Sequence, residues 1–532
     1  MHPYQHAAEH PDRPALVLAD TGEILTYRQM DEGSNRAAQL FRRLGLEPGD
    51  KVAILLKNCL EFPVAYWGAQ RAGLLAAMLS THLKPEEAAY IINDCGAKVL
   101  ITSAELDETA SALAGRRAEL IPNVTAVFSA GETPIEGARP LAAALAEMPA
   151  EPIADQVSGY YLVYSSGTTG RPKGIVLPFT PGPIEELAPN EAAMAMPEGD
   201  PLVSFAPGPL YHAAPLVEMM VTHRAGGVAV TLGKFDAVAT LQAIQDWGVI
   251  HAQFVPTMFV RMLALPEDVR RSFDLSSLQI VLHAAAPCPV EIKRRMIEWM
   301  GPIVHEYYAS SEAVGSTHIS AEEWLRKPGS VGLPRSGAVH ICDEDGRELP
   351  VGEAGLIYFE DPSDAKFHYL NDETKTDRAR HPAHRNWYAV GDIGRVDADG
   401  YLFLTDRKDF MIISGGVNIY PQAVEDALIV HPKVLDAAVI GVPNPEFGEE
   451  VKAIVQPKDW AEAGEALAAE LTAWCRSRIS KVSCPRSVEF VRELPRIPSG
   501  KLAKHELRRL YGAPAPIPTS SPAEAKRNAG DP

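Results

Sequence analysis

Short apolar or β-branched runs alternate with longer stretches of helical periodicity through roughly the first 400 residues. Lys51-Val-Ala-Ile-Leu-Leu56 precedes a helical segment over 62–72, and Lys98-Val-Leu-Ile-Thr102 precedes an Ala/Glu-rich segment over 104–119. Strand and helix in repeated alternation are the rhythm of parallel α/β layers, because parallel strands need a crossover element between them. Near residue 335 the texture changes. Asp343-Glu-Asp-Gly346, Pro350-Val-Gly-Glu353 and Asp397-Ala-Asp-Gly400 are turn signals between short strand candidates, and they predict a mostly antiparallel, β-rich subdomain. From Asp409 a smaller unit follows: a Gly-Gly turn, an amphipathic helix from about Pro421 to His431, the strand-like Ala437-Ala-Val-Ile-Gly441 and a helix around 464–479. That pattern predicts a compact α+β domain of about 100 residues. The expected fold class is therefore α/β. Layered α/β subdomains and a β-rich subdomain make a large N-terminal domain over 1–408, a small α+β domain spans 409–512, and 513–532, rich in Pro, Ala and Ser without apolar periodicity, reads as a disordered tail.

Composition narrows the classes. At 532 residues, with 46% hydrophobic and 22% charged positions, the chain is long enough for two or more well-packed domains. Its formal net charge of −19 disfavours a polynucleotide or anionic-lipid partner, although local basic clefts can still hold nucleotides. The 6 cysteines show no Cys-x-x-Cys pair and no clustered zinc-ligand set, so they read as reduced thiols. Apolar stretches such as Ala72-Gly-Leu-Leu-Ala-Ala-Met-Leu79 fall far short of a membrane span, and no basic-then-apolar leader opens the chain. A cytoplasmic protein without integral membrane association is expected, as monomer or homodimer.

The densest chemistry follows the apolar run Tyr160-Tyr-Leu-Val163. Tyr164-Ser-Ser-Gly-Thr-Thr-Gly-Arg-Pro-Lys-Gly174 brings glycines, Ser/Thr hydroxyls and two cations into one loop. A polar surface turn uses the same residue types, but such a series of donors suits phosphate: glycines let backbone N–H groups approach an anion, hydroxyls add hydrogen bonds, and Arg171 and Lys173 add charge. It is not a Walker A loop, because Lys173 is followed by Gly174 rather than Ser or Thr.

This loop, with four further motifs in the same order over roughly residues 10–511, resembles the AMP-forming acyl/aryl-CoA ligases of the adenylate-forming superfamily. The resemblance implies ATP, Mg²⁺ and coenzyme A as cofactors or co-substrates and a small-molecule carboxylic acid as substrate. It assigns Ser165, Ser166, Gly167, Thr168, Thr169, Gly170 and Lys173 to the ATP phosphates. Tyr307-Tyr-Ala-Ser-Ser-Glu-Ala313 is similar to the family's Tyr-Gly-x-Thr-Glu, which makes Tyr308 an adenine-stacking ring, Ser311 an α-phosphate contact and Glu312 the metal ligand. Asp392 in Tyr388-Ala-Val-Gly-Asp392 and Arg407 in Thr405-Asp-Arg-Lys-Asp409 match the ribose-binding pair. Asp409 matches the hinge, Gly415 and Gly416 the turn presented to the CoA arm, and Lys501 in Pro-Ser-Gly-Lys the lysine that meets charge building during adenylation.

Within Pro209-Leu-Tyr-His-Ala-Ala-Pro215 the resemblance places His212 beside the acyl carboxylate, as a gate between substrate entry and thiol access. With Val255, Pro256, Ala284, Ala309 and Val314 it forms the expected substrate pocket, an apolar cavity offering little to a second charge. Three departures from the family pattern stand out. His283 and Ala284 replace a usual Ser-Gly, Ala309 replaces a usual Gly, and Pro178-Phe-Thr-Pro-Gly-Pro183 bars the helix that relatives begin there, so that 178–199 is read as a cap on the pocket entrance. The two added methyl groups disfavour a deep straight alkyl chain. The expected reaction is ATP-dependent acyl-CoA formation on a hydrophobic monocarboxylate that is ring-bearing (aryl-alkanoate or steroid-like) or of medium length. Two alternatives stay open: loading of a carrier protein, and a non-catalytic nucleotide-binding sensor on the same scaffold.

Overall fold

In a computed structural model, the structure describes residues 1–165, 172–186, 197, 199–361, 367–415, 417–496 and 502–511. The chain divides into two compact units, one formed by Met1–Thr405 and the other by Asp406–Pro495 with the last described helix, Lys504–Tyr511. Among the described residues, three sheets build the first unit.

The apolar runs of the sequence become the parallel strands of the first sheet. Lys51–Ile54, Leu75–Met78, Val99–Ser103, Ala126–Ala130 and Tyr160–Ser165 lie parallel, with Val52 opposite Val99 and Ala76 opposite Tyr161. Val52, Ala53, Ile54 and Ile101 are buried, which explains why the strands read as unbroken apolar runs rather than as alternation. Helix Glu61–Arg71 is buried from Phe62 onward, so it too lacks a polar face. The expected helix over 104–119 is broken instead, into a 3₁₀ turn, Asp107–Gly115 and Arg117–Leu120. Gly115, a poor helix former, stands at the break.

The second sheet carries Val203–Phe205, His251–Phe254, Ile280–His283 and Val304–Ala309 as neighbouring parallel strands, closed by the antiparallel Ser316–Ile319. Phe254, His283 and Glu306 are register partners across its centre. The third sheet, Val339–Cys342, Gly355–Glu360, Asp392–Val396 and Leu402–Arg407 with Trp387–Tyr388 beside it, is the β-rich subdomain that the turn signals predicted.

The second unit centres on a long hairpin, Val434–Asn444 with Gly448–Pro457, and on helices Pro421–Ile429 and Glu465–Arg476. Lys504 is buried and places its ammonium 2.9 Å from Glu425 Oε1, an oxygen that also accepts from the Val439 N–H at 2.7 Å. All six cysteines are free, and among the described residues no helix is long and apolar enough to cross a membrane.

Two buried ion pairs generate predictions. Removing one partner strands the other charge, so Lys504→Ala is expected to destabilise the second unit by about 3 kcal/mol in urea unfolding, and pairing Lys504→Met with Glu425→Gln, whose amide oxygen still accepts from the Val439 N–H, to recover most of that loss. In the first unit the fully buried Lys293 ammonium lies 2.6 Å from Glu306 Oε2. Burial lifts the Glu306 carboxyl above the usual range and Lys293 opposes it. A carboxyl whose folded pKa is raised destabilises the fold progressively as pH climbs from its unfolded value through its folded one. Lys293→Met removes the opposition, so its deficit should be about 3 kcal/mol near pH 8 and shrink toward pH 4. Equal deficits at both pH values in urea titrations would contradict this.

Candidate active site

The strand Tyr160–Ser165 ends where the glycine-rich loop begins, and Lys173 stands opposite Ser165 in the returning antiparallel strand Lys173–Val176. Ser166, Gly167, Thr168, Thr169, Gly170 and Arg171 lie outside the described residues. A third strand, His368–Tyr369, pairs with the return strand, setting Tyr369 opposite Ile175. This antiparallel edge brings together residues far apart in sequence. The Tyr369 hydroxyl donates to Glu312 Oε1 at 2.8 Å, and the Lys173 ammonium sits 5.2 Å from the centre of the Tyr369 ring. The base of the phosphate loop is thus tied to the expected metal ligand through an aromatic residue that carried no motif signal.

The segment holding Glu312 is shaped by its surroundings. Ala313 takes a left-handed φ of 53°, and a Cβ on Gly315 would lie 2.3 Å from the Phe359 ring, so only glycine fits there. Glu312 is half-buried and Ser311 exposed. Tyr308 is the next-to-last residue of one strand and Asp392 opens another, and the Tyr308 hydroxyl donates to Asp392 Oδ2 at 2.5 Å, the length of a charge-assisted bond. The Tyr308 ring leans on Phe359 with centroids 5.9 Å apart. Two of the expected nucleotide-binding residues therefore hold one another in place.

Arg407 ends the strand Leu402–Arg407, and its N–H donates to Asp406 Oδ1 at 2.6 Å. The other Asp406 oxygen accepts from the Gln422 N–H at 3.0 Å, joining this point to the start of helix Pro421–Ile429. The Asp409 and Phe410 carbonyls accept from the Arg508 guanidinium at 2.9 and 3.3 Å. Gly415 adopts φ +57° and its N–H donates to the Phe447 carbonyl at 2.8 Å. Gly416 and Lys501 lie outside the described residues.

On the second sheet the register decides which side chains share a face. Phe254, His283 and Glu306 are aligned, so the next residues, Val255, Ala284 and Tyr307, stand side by side on the opposite face. Ala309, exposed, follows Tyr307 by two on that face. Val255 precedes helix Pro256–Leu263, with Pro256 at its first turn. His212 caps helix Ala213–Arg224, its ring 4.7 Å from that of Tyr211. Val314 is buried in the large core that includes Phe359.

Half-buried Tyr307 occupies the row between the expected pocket residues, and Gln253, Glu218 and His251 stand behind it as a connected polar group. Burial raises the carboxyl of Glu218, with His251 opposing the shift. The departure at His283 also finds its reason. This ring faces the other side of the sheet, fully buried, edge-on to Phe259 at 5.2 Å and 3.5 Å from Glu306, where burial and then Lys293 hold its pKa well below the usual range. In the described part of 178–199, Phe179 stacks on Tyr160 at 5.0 Å, the Ile184 carbonyl accepts from Arg224 at the far end of the His212-capped helix, and Glu185 accepts from the Tyr4 hydroxyl.

Among the described residues, the arrangement gathers a cation, Lys173, and a metal-compatible carboxylate, Glu312, around Tyr369, and a Tyr308–Asp392 pair on the strands that carry the other motifs. The chain as a whole is similar to known proteins. Residues 4–368 match the AMP-binding enzyme family, and 423–501 match the AMP-binding enzyme C-terminal domain. The chain is 35% identical to feruloyl-CoA synthase of an Amycolatopsis species, covering 94% of this chain and 96% of that protein. It is 30% identical to the long-chain-fatty-acid–CoA ligase FadD13 of Mycobacterium tuberculosis, covering 96% and 98%. The crystal structure of the anthranilate CoA ligase AuaEII with anthranoyl-AMP superposes with a TM-score of 0.81 at 28% identity, over 96% of each chain. The chain belongs to the adenylate-forming AMP-binding enzymes, the family of these acyl- and aryl-CoA ligases.

Proposed function

We propose that this protein is a carboxylate–CoA ligase acting on a ring-bearing monocarboxylic acid, and the observation that carries the reading is the junction of Lys173, Tyr369 and Glu312 beside the Tyr308–Asp392 pair. In the first step a carboxylate oxygen attacks the α-phosphorus of ATP, the bond to pyrophosphate breaks, and an acyl-adenylate forms. Lys173 and the hydroxyls of 165–169 hold the leaving phosphates, while Lys501 offsets charge building on the carboxylate and α-phosphate oxygens. Glu312, a hard oxygen donor held through one oxygen by Tyr369, suits Mg²⁺, which when bound neutralises phosphate charge. Asp392 and Arg407 take the ribose hydroxyls, with Tyr308 against the adenine and Ser311 at the α-phosphate.

In the second step the CoA sulfur attacks the acyl carbon and AMP leaves. The segment 409–512 acts as the mobile domain, pivoting at Asp409 to bring Gly415 and Gly416 to the CoA arm. The Arg508 clamp on the Asp409 and Phe410 carbonyls supports this by fixing the residues after the pivot to their own unit. His212 stands at the carboxylate end of the acid, and Val255, Pro256, Ala284 and Ala309 line its path. The related feruloyl and anthranilate enzymes support a ring-bearing acid.

Pyrophosphate release with ATP and Mg²⁺ should appear with aryl-type acids. It should yield thioester only when CoA is present, and should fall by about 100-fold or more in Lys501→Ala. Pyrophosphate release that never yields a CoA thioester would shift the acceptor to a carrier protein. No release with any acid would contradict the ligase reading.

A further inference from the structure

A buried polar chain runs behind the row of Val255, Ala284 and Tyr307, and neither step of the proposed reaction uses it. Glu218 and His251 are both fully buried, with His251 Nδ1 and Glu218 Oε1 2.8 Å apart. Gln253 continues the chain. With its amide oriented to satisfy its neighbours, the nitrogen lies 3.1 Å from Glu218 Oε2 and 3.3 Å from the Ala214 carbonyl oxygen, and the amide oxygen lies 3.1 Å from the Tyr307 hydroxyl.

One group decides the direction of this chain. An amide can be turned either way, but the Ala214 carbonyl can only accept, so the Gln253 nitrogen must face it. The Gln253 oxygen then faces Tyr307, and Tyr307 must donate. With its only proton committed, the Tyr307 hydroxyl offers nothing but lone pairs to a second neighbour. Burial also raises its pKa, which keeps that proton in place.

The chain also stands at a definite depth. Glu218 follows His212 by six residues on one helix, an axial rise of about 9 Å. Gln253 precedes Val255 by two strand residues, about 7 Å. Tyr307 is level with Val255 and Ala284 and is half-buried. From His212, the residue assigned to the carboxylate end, the polar chain therefore begins about 9 Å further along the same helix, a step longer than one aromatic ring.

The geometry points to Tyr307 as a specificity-determining residue that selects ring acids carrying a hydrogen-bond donor, a phenolic hydroxyl or an amine, at the end remote from the carboxylate. This rests on the ligase reading above. A donor there meets the Tyr307 oxygen. A substituent of similar size without a proton leaves two electron-rich atoms facing one another, and a site built around a hydrogen bond discriminates against such analogues.

The test uses three ring acids that differ only in the distal group: hydroxyl, fluorine and hydrogen. Steady-state pyrophosphate release on the full chain gives kcat and KM for each. Wild type is expected to favour the hydroxy acid over the fluoro acid about tenfold in kcat/KM, and Tyr307→Phe to bring that ratio close to one. Competitive inhibition by phenol against fluorobenzene reads the same preference without turnover and without a variant, so a Tyr307→Phe chain that failed to fold would not leave the matter open. Equal use of hydroxy and fluoro acids by wild type, or a preference that survives in Tyr307→Phe, overturns the inference while pyrophosphate release keeps the ligase reading standing. No release with any of the three acids removes the ring-acid reading itself, and the inference with it.

Discussion

The alignment of Phe254, His283 and Glu306 across three parallel strands is the constraint on which the site depends. Side chains alternate across a strand, so one register sends these three toward helices Pro256–Leu263 and Val290–Met300, where Phe259 and Lys293 receive His283 and Glu306, and sends Val255, Ala284 and Tyr307 to the other face. A slip of one residue in the strand Val304–Ala309 would turn Glu306 to the opposite face and leave the buried Lys293 without its partner. The Lys293–Glu306 pair is therefore a lock on register as well as a local contact.

A second device assembles the phosphate end. Parallel strands deliver their C-terminal ends to one side of a sheet, where ligands bind in open α/β folds. Here the strand carrying the glycine-rich loop turns back as Lys173–Val176, and His368–Tyr369 joins the new edge. Tyr369 then reaches Glu312 from a neighbour of Lys173. Hydrogen bonding between edge strands thus sets Lys173 beside Tyr369, nearly two hundred positions away, and Tyr369 against the Glu312 carboxylate.

Much of this was legible in the sequence. Strand–helix alternation marked the layered sheets because buried parallel strands are apolar on both faces, and the Asp-Gly turns marked the β-rich subdomain because their backbone geometry demands those residues. Motifs made of unusual residues, such as Tyr308, Glu312 and Asp392, could be read directly. Tyr369, Gln253 and Glu218 could not. Tyr369 works through a strand of two residues, too short for periodicity, and Glu218 sits in a helix whose neighbours are mostly apolar. Tyr307 lay inside a quoted motif, but its role depends on which face the register gives it. His283 looked like an altered site residue for the same reason, and the register turns it away. Facing is a tertiary property, and a single apolar strand buried on both sides carries no mark of it.

The central claim is that the chain joins a carboxylate oxygen to the α-phosphorus of ATP before any thiol attacks. The most direct measurement incubates the enzyme with ATP, CoA and an aryl acid whose carboxylate carries ¹⁸O in both positions, then weighs the AMP and pyrophosphate produced. The account predicts one labelled oxygen in AMP and none in pyrophosphate. Unlabelled AMP, or label in pyrophosphate, would mean that no acyl-adenylate lies on the path.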